Sequence, residues 1–257
     1  MTYIGDMSRR LGLSAATPSR RALEDAPRPS SAAPEEREPR GARRKRETHE
    51  KLLGAAFRLF GERGVDAVAI NEITEAADVG FGSFYNHFAS KEAIYEAVVG
   101  AVFGAFGETL DQLTADVDDP AEVIAICVRH TILRAHAEPL WGSFFVREGL
   151  KPAAMTHGLG LRLLRDLQRG VGSKRFDAPD LLMALMLAGG GVLAIVAAEA
   201  AVTVNGPSIA KELGFGTKDL ASRGAATILE ALGLDRAEAQ KLAKRPLPRI
   251  ASDASEQ

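Results

Sequence analysis

The sequence predicts an all-α protein of about nine to ten helices, on two observations. From Glu47 onward apolar residues recur at helical intervals almost to the end of the chain. No alternating run of useful strand length and no internal repeat interrupts them. The 257 residues, 46% hydrophobic and 26% charged, suffice for one large core or two smaller ones. The single cysteine, Cys127 within IAICV, excludes an internal disulfide framework and reads as a small buried apolar residue. A cytoplasmic setting is the consistent expectation, since the first residues lack the apolar core of a secretory signal.

Taken in order, residues 1–42 are dominated by Pro, Ser, Ala, Arg and Glu without apolar spacing, so a disordered extension is expected. Its far end is basic, with Arg40, Arg43, Arg44, Lys45 and Arg46 within seven positions. Leu52, Leu53, Ala56, Leu59 and Phe60 then mark one face of a helix that Gly64 stops. A short helix over 70–77 and a tight turn follow. Ile94, Val98, Val102, Phe106, Leu110 and Leu113 form the stripe of a long helix that ends before Pro120. Further helices are expected over 121–137, 140–148, 158–170, 179–204, 218–232 and 235–243, with a disordered tail over 246–257. The run 181–198 is uncharged and just long enough to span a membrane. Three central glycines, flanking Asp180 and Glu199, and no basic cluster at either end favour a buried helix in an oligomer, with no membrane partner.

The stretch VGFGSFYNHF, residues 79–88, places two glycines and several aromatics where a helix should begin. Asp78 tolerates the left-handed conformation of a tight corner, Gly80 serves as N-cap, and Phe84 and Phe88, four apart, face inward. Ser83, Tyr85, Asn86 and His87 are left facing out, and Gly82 removes a side chain where backbone must approach a phosphate or base. This is helix-turn-helix geometry, in which the second helix enters the DNA major groove.

The set LLGAAFRLFGERG, INEITEAADVGFGSFYNHF and SKEAIYEAV, within 46–102, resembles the tetracycline-repressor (TetR) family of bacterial transcriptional regulators. The resemblance implies a helix-turn-helix domain over 43–90 and a ligand-binding and dimerisation domain over 91–245. It puts Ser83, Tyr85, His87 and Lys91 where family members touch DNA, and Asn71 in the exposed slot opening the preceding helix. Lys91 has a physical argument besides, because a cation in a first turn opposes the helix dipole and points to an external anion. Val68 and Ala69 stand where relatives carry Thr or Ser, so that phosphate contact is not expected and Asp66 is the candidate cap. Phe81 replaces a polar or basic residue; local packing and contact with a thymine methyl are both open. Arg43, Arg44, Lys45 and Arg46 are placed to lie along the backbone or to reach a minor groove. Since 43–96 holds eight basic and nine acidic residues, affinity must come from their placement.

Such a module pairs across a palindromic operator, so a homodimer is expected. Gly190, Ala194 and Ala198 form a small-residue ridge for close helix approach, and Ala221, Ala225, Ile228 and Leu229 complete a candidate four-helix contact. The intervening helices mix polar and apolar groups as a small-molecule site does. His130, Arg134, Trp141, Phe144, Phe145 and His157 are the candidate effector contacts. The histidine spacing does not make a metal site, no cofactor motif is present, and GVGSK at 170–174 lacks phosphate-loop spacing. The expectation is a non-enzymatic, ligand-released repressor. A helical small-molecule, lipid-binding or interaction protein with a non-functional DNA module is the alternative.

Overall fold

The structure is a computed structural model describing residues 39–156, 158–205 and 218–249, which form eleven helices. In order these are α1 (Arg40–Arg63), α2 (Ile70–Ala76), α3 (Phe81–Phe84), α4 (Lys91–Leu113), α5 (Pro120–Ala137), α6 (Pro139–Glu148), α7 (Pro152–Thr156), α8 (Leu159–Gly172), α9 (Leu181–Asn205), α10 (Leu220–Ala231) and α11 (Arg236–Ala243). The short α7, a proline-opened turn and a half, is the helix that periodicity does not reveal, because five residues carry no period.

Helix α1 begins at Arg40, well before the first apolar position, so the boundary expected at residue 42 falls inside it. Its first turns are held by ion pairs one turn apart, Arg43 to Glu47 at 3.0 Å and Arg46 to Glu50 at 3.8 Å. The basic run is therefore the first turns of a helix. Residues 1–38 and 250–257 lie outside the described residues. At its other end α1 stops on Gly64, whose φ of 81° is costly for a residue with a Cβ.

Helices α1 to α3 pack around Leu52, Phe57, Phe60, Ile73, Phe84 and Phe88, continuous with the core of the larger domain through α4. Ser90 caps α4 by accepting from the Ala93 N–H, and Asp119 caps α5 ahead of Pro120 in the same way. Within the larger domain α10 lies on α5 and α11, while α9 packs on α5, α6 and α8. Arg175, just beyond α8, binds Asp119 bidentately at 2.9 and 3.1 Å and Glu238 at 2.6 Å, tying α8, α5 and α11 together.

Helices α4 and α9 are long and apolar enough to cross a membrane by length and composition. Both are bundle helices here: α4 buries Ile94, Val98, Val102, Phe103, Phe106 and Leu110, and α9 buries Ala184, Leu185, Ala188, Val192, Leu193 and Val196.

Candidate nucleic-acid interface and internal cavity

The corner before α3 is built as the sequence predicts. Asp78 takes φ 55°, the Val79 N–H donates to the Thr74 carbonyl at 3.0 Å, and Gly80 is the extended N-cap of α3. The α-helical part of the recognition element is one turn, Phe81–Phe84, with Tyr85, Asn86 and His87 in the turn after it. Phe84 and Phe88 are buried, whereas Phe81 and Tyr85 are 53% and 52% exposed and meet edge to face at 5.7 Å. Asn86 and Asn71 are exposed; Ser83 and His87 are half-buried.

The basic end of α1 runs beside this turn. His49 stacks on Phe88 at 4.7 Å and lies 5.8 Å from His87. Burial, then the neighbouring His87, holds His49 below its ordinary pKa; burial, then Lys45, does the same for His87. Arg44 and Lys45 are exposed, and α1 carries no acidic residue in its first turn. Helix dipole and side-chain cations therefore add at one point, an arrangement stabilised by an external anion.

Two expectations need correction. The N–H of Ala69 is capped by Glu72 (2.8 Å), itself held by Arg63 (2.8 Å), so Asp66 is not the cap of α2. Lys91 is not an unengaged cation at a helix start: its Nζ donates to the Val68 carbonyl at 2.9 Å, tying α4 to the α1–α2 loop.

In the larger domain a cavity of about 90 Å³ opens between α4, α5, α6, α8 and α9. Leu110, Ile124, Val128, Phe145, Leu185 and Val192 give it apolar walls, with Cys127 and Thr131 among them. Burial pushes the Cys127 thiol up to about 12, so it stays protonated. One corner is ionic. Asp111 of α4 accepts from Arg162 Nε at 2.6 Å and from Arg165 at 2.9 Å, and Arg165 also binds the buried Asp166 at 2.9 Å. Burial alone would raise the Asp111 pKa, but the bonds from Arg162 and Arg165 outweigh it and hold the carboxyl below its usual range. Two guanidiniums face two carboxylates, so the corner is electrically balanced.

Of the expected effector contacts, Phe145 lines this cavity. Trp141 and Phe144 are core residues, and the aromatic cluster they form with Phe103 and Phe106 already holds a cation of its own. Arg134 lies 4.7 Å from the Phe106 ring centre and 5.0 Å from that of Trp141. His130 is buried away from the cavity lining, and His157 lies outside the described residues. Asp111, Arg162 and Arg165 were not expected. Their trace in the sequence is LRLLRD, an arginine pair three apart in an otherwise leucine-rich turn.

On the candidate dimer surface the two groups separate. Gly190 has open space above it, Ala194 is exposed and Ala198 half-buried. They continue a stripe begun by Met183 and Leu187, 55% and 47% exposed, with Leu182 beside it. Ala221, Ala225, Ile228 and Leu229 are instead buried in the subunit's own core, where α10 packs on α5. The exposed face of α10 carries Arg223, Thr227 and Glu230. Among the described residues, no group of three or more His, Cys, Asp or Glu side chains is placed to hold a metal ion.

Comparison with known proteins accords with this architecture. Residues 52–98 match the bacterial regulatory proteins of the tetR family, and residues 119–245 match the tetracyclin repressor-like C-terminal domain. RolR in complex with its ligand resorcinol is 35% identical, covering 82% of this chain and 100% of that one, with a TM-score of 0.61. A regulator from Shewanella sp. PV-4, 20% identical over 73% of this chain and 99% of that one with a TM-score of 0.60, shares the fold. An uncharacterised HTH-type transcriptional regulator of Mycobacterium tuberculosis is 31% identical over 104 residues, 40% of this chain and 52% of that protein. The chain thus spans about half the length of that curated relative. The chain belongs to the TetR family, with a helix-turn-helix at its N-terminal end and the family's helical domain behind it.

Proposed function

We propose that the protein is a homodimeric repressor that binds a palindromic operator and is released by a small, mostly apolar effector. The observation that carries this reading is the course of α4. Its N-terminal residue, Lys91, is bonded to the α1–α2 loop of the DNA-binding unit, and Asp111, near its other end, is a wall of the cavity. A 23-residue helix spans about 33 Å, so one rigid rod joins the effector corner to the helix-turn-helix. An effector that re-pairs Asp111 shifts the rod and with it the spacing of two recognition elements. Spacing matters because half-sites lie about 34–36 Å apart on one face of the duplex. The unpartnered stripe of α9 supports pairing of two copies through Leu187, Gly190, Ala194 and Ala198, with α10 contributing its polar face. Candidate DNA contacts are Arg44 and Lys45 of α1, Asn71 of α2, and Phe81, Ser83, Tyr85, Asn86 and His87 of the recognition element.

RolR binds resorcinol, and the balanced corner here suits a neutral hydroxyl better than an added carboxylate, which would leave a negative charge in excess. Resorcinol is therefore the first effector to test. In a mobility shift on the DNA upstream of the protein's own coding region, resorcinol is expected to release the wild type. Asp111→Asn is expected to need at least about tenfold more, since a hydrogen bond to a charged group contributes about 1.5–3 kcal/mol. Absence of any shift without effector sinks the reading, as does a monomer in sedimentation at working concentration.

A further inference from the structure

We infer that Phe81 is a specificity-determining residue that reads the 5-methyl group of thymine in the operator. The inference rests on the chain binding DNA through its helix-turn-helix. Two independent observations carry it.

The first is the side chain itself. Phe81 is 53% exposed, and its one ring neighbour among the described residues is Tyr85, also exposed, at 5.7 Å. The ring is not buried local packing: Phe84 fills the core position beneath, and Phe81 stands on the outer face of the same turn. Tyr85 is fixed from behind by an edge contact to the buried Phe84 at 5.3 Å, and so supports the Phe81 ring. The pair is a preformed apolar surface at the position of the motif that faces base edges. A phenyl ring offers no conventional hydrogen bond to a base. Of the groups on the floor of the major groove, the thymine methyl is the apolar one.

The second observation is the pair of glycines flanking that ring. A Cβ built on Gly80 or on Gly82 meets no atom within 4 Å, and neither residue has a positive φ. Nothing inside the protein requires a glycine at either position, and Gly82, within the turn, weakens the helix relative to alanine. The cleared space lies outside the protein, on both sides of Phe81. It lets backbone approach the duplex closely enough for a short, stiff ring to reach a methyl group at the groove floor.

The test uses the full-length protein and an operator recovered by selection from random duplexes. Each thymine is then replaced by deoxyuridine, which keeps the Watson–Crick pairing and removes only the 5-methyl. At one position per half-site, deoxyuridine is expected to weaken wild-type binding about fourfold when one half-site is changed and about sixteenfold when both are, the scale of one buried methyl per site. Phe81→Ala is expected to bind the thymine and deoxyuridine operators alike, and Phe81→Leu to keep part of the discrimination. Gly82→Ala is expected to weaken binding to every operator while circular dichroism and melting show an intact fold.

Wild-type binding that ignores every deoxyuridine substitution overturns the inference. So does a Phe81→Ala protein that retains the full methyl discrimination. A selection that enriches no duplex at all overturns the DNA-binding reading together with it.

Discussion

The recognition turn and the packed interior of the larger domain use glycine in opposite surroundings. Around the recognition turn, Gly80 and Gly82 open onto empty space. In the larger domain several glycines are walled in. A Cβ on Gly170 would stand 2.0 Å from the Phe176 ring, one on Gly142 2.9 Å from the Ala135 carbonyl oxygen, and one on Gly224 2.6 Å from Ile195. The walled glycines let helices and loops pack closely. Of the open pair, Gly80 is the N-cap of α3, while Gly82 packs against nothing in the fold. The sequence alone does not distinguish the two kinds.

That contrast can be broken at three of these glycines. Gly170→Ala is expected to have the largest effect, because Phe176 is buried and its ring cannot swing clear; overpacking of this kind costs about 1–3 kcal/mol. Thermal melting should show the loss. Gly224→Ala is expected to cost less, under about 1.5 kcal/mol, since the nearest atom is the far end of the Ile195 side chain and can rotate away. Gly82→Ala reverses the sign. It is expected to stabilise the fold by up to about 1 kcal/mol through helix propensity while DNA affinity falls. A Gly82→Ala protein that melts lower, or binds DNA better, removes the contrast.

The smallest effect concerns acid. His49 and His87 titrate below the ordinary 6.5 in the folded state, so the unfolded chain takes up protons first. Stability is expected to decline as pH falls from 6.5 toward the depressed folded values and to level below them. Asp111 and Asp119 are also depressed, and their contribution is lost only as pH falls below about 3.8. Melting temperature against pH should therefore show two declines, and the double variant His49→Gln, His87→Gln should lack the upper one.

Much of the first half was legible because its determinants are contiguous. The left-handed Asp78, the Gly80 cap and the inward Phe84 and Phe88 lie within eleven residues, and local rules suffice for them. The cavity corner was not legible. Asp111 and Arg162 are 51 residues apart, and each taken alone is an ordinary charged residue on a helix. The same limit explains Arg134. Its sequence neighbours do not reveal that its guanidinium sits against Phe106 and Trp141, so Arg134 and Trp141 read as candidate effector contacts. The α10 residues failed for a related reason: helical spacing identifies an apolar face but not which chain covers it. Glu72 was missed as a cap because the N-cap is Ala69, so the Ser or Thr that normally signals a capping box is absent.

One junction governs how the two units behave together. Arg147, at the end of α6, donates to the carbonyls of Phe60, Gly61 and Glu62, closing the C-terminal end of α1. The next residue, Glu148, is buried and accepts from the Tyr95 hydroxyl of α4 at 2.6 Å. Two consecutive side chains thus bolt one short helix to both helices that enter the DNA-reading unit. Severed from the rest, that unit would have bare α1 carbonyls and an uncovered Phe57, which now packs on Phe144. The chain should consequently melt as one calorimetric event, and a fragment ending near residue 90 should not hold its shape unaided.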